Sequence, residues 1–88
     1  MTNLEIIKEM QTNICDLIIG TGGMEEILQN YKMDLITQRE CFMQINEKVM
    51  LCDQQEIKAA DKLEVNGDFN EKLKFLRTVL QSGIVNHL

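Results

Sequence analysis

Apolar and polar positions follow a seven-residue rhythm from Met24 to Leu63. Stepping alternately by four and three gives Met24, Leu28, Tyr31, Leu35, Gln38, Phe42, Ile45, Val49, Cys52, Glu56, Ala59 and Leu63; ten of these twelve are apolar, and only Gln38 and Glu56 interrupt. A 3.5-residue period sustained this long predicts a helix that packs lengthwise against other helices. A second apolar row, Ile36, Met43, Met50 and Ile57, runs one residue after the seam. Two rows are more than one short neighbour can bury, so the pattern predicts exposed apolar surface that meets a partner. The residues expected to carry that contact are Leu35, Ile36, Phe42, Met43, Val49, Met50 and Ile57.

Glycines punctuate this pattern at Gly20, Gly22 and Gly23, then at Gly67 and Gly83, and the chain has no proline. They divide it into three helical segments, about 3–19, 24–65 and 69–82. Thr2 with Glu5 three residues on has the capping-box spacing, and Asp68 with Glu71 repeats it. Gly20, able to take a positive φ, is expected to end the first helix. Glu25 and Glu26 favour the positive end of the second helix's dipole, and Asn66-Gly67 stops that helix. The stripe weakens at Cys52-Asp53-Gln54-Gln55, where a bend is compatible with the pattern. Unbroken, the middle helix would be roughly 60 Å long at 1.5 Å per residue. The first helix would lie antiparallel along its beginning and the third along its end. The Gly20–Gly23 segment reads as an interhelical hinge. The expected fold is all-α: a single domain over 1–88, an antiparallel helical hairpin or three-helix arrangement with one long central coiled-coil-like helix.

With 88 residues, 44% apolar and 26% charged, the chain is too hydrophobic for a disordered tail yet short for a large core. Its net charge of −5 is unevenly spread. Residues 1–31 hold Lys8 alone against Glu5, Glu9, Asp16, Glu25 and Glu26, whereas the last twenty hold Lys72, Lys74 and Arg77 against Glu71. An acidic body repels phosphate backbones and disfavours nucleic-acid binding. No apolar run approaches the roughly 20 residues of a membrane span, and the acidic, polar N-terminus does not resemble a signal peptide. Cys15, Cys41 and Cys52 are odd in number and lack close pairing, which fits reduced thiols in a cytoplasmic protein.

Candidate chemistry is sparse. His87 stands alone near the C-terminus, a poor place for a catalytic dyad or metal ligand. Cys41 and Cys52 fall on similar helical faces roughly 16 Å apart, too far to share one metal. Gly20-Thr21-Gly22-Gly23 lacks the Gly-Lys-Ser/Thr ending of a phosphate loop. No catalytic residue, metal or cofactor is expected, and a non-enzymatic role follows. The methionines Met10, Met24, Met33, Met43 and Met50 are adaptable side chains, suited to an irregular core or to a groove that takes different helices.

The stretch Leu35-Ile36-Thr37-Gln38-Arg39-Glu40-Cys41-Phe42-Met43-Gln44-Ile45 resembles the central helix of small export chaperones of the flagellar and type III secretion kind. The resemblance covers these eleven residues. It implies long antiparallel helices, frequent dimerisation, and a role in holding a client's amphipathic helix in the cytoplasm. The leading expectation is therefore an adaptor or export chaperone that binds a protein client by helix packing, as a homodimer or otherwise. A self-assembling structural coiled coil is the first alternative, with Gln38 either fixing register or sitting at the seam's edge. A small phage or transcriptional regulator reading DNA through Lys72, Lys74 and Arg77 is the second.

Overall fold

Thr2 accepts a hydrogen bond from the Glu5 backbone N–H at 3.2 Å, and its hydroxyl donates to the Glu5 carboxylate at 3.1 Å. That cap starts the first of four helices in the computed structural model, which describes residues 1–82. They are α1 (Asn3–Ile19), α2 (Met24–Lys32), α3 (Gln38–Lys62) and α4 (Phe69–Ser82). The described residues contain no strand, so the all-α expectation stands, with α3 as the long central helix. Residues 83–88, including Gly83 and His87, lie outside the described residues.

The expected continuous helix over 24–65 is two helices. Met33 closes α2, and Asp34 takes a left-handed backbone with φ of 59°. The Leu35 N–H then donates to the Asn30 carbonyl at 2.9 Å and the Asp34 N–H to the Tyr31 carbonyl at 3.1 Å. These two bonds form a Schellman termination, with aspartate where glycine is usual. Three residues later Thr37 restarts the chain with a full capping box. The Glu40 N–H donates to the Thr37 hydroxyl, the Thr37 N–H to the Glu40 carboxylate, both at 3.1 Å. Satisfied backbone groups on both sides make this reversal stable despite the unbroken apolar phase. Downstream, α3 runs through Cys52–Gln55 without interruption and ends at Lys62, before Asn66-Gly67.

The reversal at 33–37 also corrects the placement of α1. Asn3 grips the backbone of Glu64, donating to its carbonyl at 3.3 Å and accepting from its N–H at 2.8 Å. Asn13 donates to the Gln55 side chain at 3.0 Å. Farther along, Leu28 and Tyr31 of α2 line a groove with Gln38, Cys41, Phe42 and Ile45 of α3. Thus α1 and then α2 descend along α3 in one antiparallel arm, with α1 beside its end rather than its beginning. Between them, Gly20 is extended (φ −72°, ψ 175°) and not left-handed as expected. The positive φ, 74°, falls at Gly22, whose N–H donates to the Glu26 carboxylate. Gly23 is buried so close to α1 that a Cβ would sit within 2.9 Å of three carbonyl oxygens, those of Leu17, Ile18 and Gly20. Only glycine meets both demands without strain.

Asp68 accepts from the Glu71 N–H at 3.0 Å and opens α4, which returns antiparallel along the end of α3. The core lies where α1, α3 and α4 meet: Ile6, Ile7 and Met10, Ala59, Ala60 and Leu63, Leu76 and Val79. Leu4, Ile14, Val65, Leu73 and Leu80 pack around it. The small Ala59 and Ala60 let both neighbours approach the α3 backbone closely. An exposed Arg77–Glu56 ion pair at 3.4 Å spans α4 and α3 at the rim, a contact of small energetic weight. The elongated shape, 48 × 25 × 21 Å, follows from helix length. The 25 residues of α3 span about 38 Å at 1.5 Å each, whereas the 14 of α4 span about 21 Å. One end is therefore three helices thick and the other only two.

Candidate partner-binding surface

One long face of α3 stands open to solvent. Arg39, Phe42, Met43, Asn46, Val49, Met50, Asp53 and Ile57 follow one another by steps of one, three and four residues and share that side of the helix. All are exposed. Phe42 is 72% accessible and Met43 60%, high values for large apolar side chains in the first turns of a well-capped helix.

Six of the seven residues expected from sequence are exposed: Leu35, Phe42, Met43, Val49, Met50 and Ile57. Five lie together on α3. Leu35 sits in the reversal just before it, and the seventh, Ile36, is half-buried there. The eleven-residue resemblance stretch thus spans the turn and the first two turns of α3. Gln38 is the exposed first residue of α3 and does not occupy a buried seam.

Two features escape a linear reading. Leu28 and Tyr31, in phase with Phe42 along the sequence, lie across from it because the chain folds back. With Ile45 and Cys41 they bound an apolar groove of about 330 Å³ beside Phe42. A second groove of about 410 Å³ continues where α4 stops, between Ile14, Ile18 and Ile19 of α1 and Leu80 of α4. The break that creates the first groove was signalled by the Thr37-x-x-Glu40 spacing. Nothing in the sequence alone signals the second.

The thiols differ in setting. Cys15 is exposed, Cys41 is buried between α2 and α3, and Cys52 is half-buried on α3, all free. Burial, reinforced by the Asp53 and Glu56 carboxylates, pushes the Cys52 thiol above its ordinary range and keeps it protonated at neutral pH. Such a thiol is a poor nucleophile. Among the described residues no three His, Cys, Asp or Glu side chains gather as a metal site, and no helix is long and apolar enough to cross a membrane.

The fold defines a small helical bundle with an incomplete third layer. Comparison with protein-family models, curated proteins and solved structures finds no match to this chain.

Proposed function

We propose that this chain is a non-catalytic helical adaptor of the cytoplasm, one that takes up the amphipathic helix of a protein client on the open face of α3. Phe42 carries the reading. An aromatic side chain 72% exposed, flanked by Met43, Val49 and Met50 and beside the Leu28–Tyr31 groove, is the usual anchor of a helix-in-groove contact. The face runs from Arg39 to Ile57, long enough for an amphipathic helix to lie along it. The adaptable methionines suit a client helix of variable contour. The likeness of 35–45 to export chaperones points to the same class of role. Arg77 of the basic triad pairs with Glu56 of α3, which weighs against a DNA-reading α4.

The test is co-purification from the native host with the wild-type chain and with Phe42→Asp, each confirmed helical by circular dichroism. A client that accompanies the wild type, protects α3 amides from exchange, and is lost with Phe42→Asp supports the adaptor reading. A client held equally by both chains places the binding surface elsewhere and refutes it.

A further inference from the structure

We infer that, in the absence of a client, a second copy of this chain covers the open face of α3, antiparallel, on a twofold axis through Asn46. The argument rests on the symmetry of that face. In a twofold contact, if residue i meets residue j of the second copy, then j meets i. Counting outward from Asn46 along α3, the exposed positions of this face are Met43 and Val49 at three residues, Phe42 and Met50 at four, and Arg39 and Asp53 at seven. Antiparallel pairing about Asn46 therefore sets Phe42 on Met50 and Met43 on Val49, each twice.

Charge selects this arrangement over its competitors. Arg39 falls opposite Asp53 of the second copy, and neither makes an ion pair among the described residues of its own chain. The pairing occurs twice by symmetry. A parallel dimer in register would instead set Arg39 against Arg39 and Asp53 against Asp53. Sliding the antiparallel pair by one heptad would put Arg39 opposite Ala60, which is fully buried in the α1–α3–α4 core. Asn46 pairs with itself on the axis, a polar contact of the kind that fixes register in helix dimers. The inference extends the adaptor reading by naming what occupies the face at rest. It needs no client, so loss of one conclusion leaves the other standing.

The experiment measures the mass of the purified chain by light scattering across a dilution series, for the wild type, Arg39→Asp, Asp53→Arg and the double variant. Both positions are exposed, and circular dichroism checks that each chain remains helical. The wild type is expected to reach twice its 10.2 kDa chain mass. Each single reversal converts two attractive contacts into two repulsive ones, and is expected to weaken the dimer about tenfold or more at low salt. The double variant restores dimerisation, and so does an equimolar mixture of the two single variants, because each then supplies the opposite charge. A wild type that stays monomeric up to about 100 µM, where even a micromolar interface would be filled, overturns the inference. A dimer indifferent to the single reversals, or unrescued by the double variant and the mixture, overturns it equally.

Discussion

Truncating Leu76 to alanine removes an isopropyl group, and truncating Phe42 to alanine removes a whole phenyl ring, from opposite kinds of site. Leu76 has no accessible surface and touches the core from α4. Deleting three carbons there forfeits about 2.4 kcal/mol at about 0.8 kcal/mol per buried carbon. The cavity left behind raises the cost to about 3–5 kcal/mol. A chain of 88 residues has about 4–13 kcal/mol of stability in all, so Leu76→Ala consumes a large share of it. Phe42, largely in water already, is expected to cost the dilute monomer within about 0.5 kcal/mol. Urea unfolding followed by helical ellipticity reads both. With a slope near 1 kcal/mol per molar for a domain this small, Leu76→Ala lowers the midpoint by about 3 M or unfolds the chain outright. At the same dilution Phe42→Ala leaves the midpoint nearly fixed. Repeating the titration at high concentration separates the two roles of an apolar side chain. If a second copy covers the open face, Phe42→Ala then loses the concentration-dependent gain expected of the wild type, and the Leu76→Ala deficit persists. Equal midpoint shifts for the two variants at low concentration would refute this division between core and recognition surface.

Three further outcomes follow from local geometry. Asp34→Gly relieves the left-handed aspartate and is expected to stabilise the chain by about 1 kcal/mol, whereas Thr37→Ala loses the capping box and costs about 1 kcal/mol; thermal melts of both check the reversal. Asn3→Ala removes both bonds to the Glu64 backbone and is expected to cost about 1–2 kcal/mol, with faster amide exchange at Glu64 as its local signature. Alkylation followed by mass spectrometry should modify Cys15 first, Cys52 later, and Cys41 only when α2 opens away from α3. The folded state holds the Cys52 proton more tightly than the unfolded chain, whose thiol ionises near about 8.5. The contribution of Cys52 to stability is therefore present below that pH and declines above it, a loss that Cys52→Ala should abolish.

Helix ends with side-chain caps were legible in the sequence. Thr2 and Asp68 begin α1 and α4 as their spacing foretold, and Met43, Met50 and Ile57 of the second apolar row are exposed, as two rows exceed what the neighbouring helices cover. The split between α2 and α3 was obscured by phase. Tyr31, Leu35, Gln38 and Phe42 keep a heptad rhythm across a point where the chain reverses, and periodicity carries no information about direction. The contrary signals were local and small: Thr37 three residues before Glu40, and an aspartate in the left-handed position where a glycine would have been conspicuous. Missing that reversal misplaced α1 as well, since a helix sent back by the glycines would have met α2 instead of the end of α3. At the glycines themselves, composition marked the turn but not which residue would take the positive φ. Gly22 takes it, while Gly23 lies against carbonyls at the end of α1 where a Cβ has no room.

The two ends of the bundle have unequal means of holding together. Eight core residues are locked at one end, whereas α2 and the first turns of α3 bury only Ile27 and Cys41 among their apolar side chains. Amides at that thin end should exchange through openings cheaper than global unfolding. Whatever settles on the open face therefore also completes the structure beneath it. Its concentration then sets the melting temperature by mass action, and the protein's lifetime in a cell becomes a readout of its occupancy.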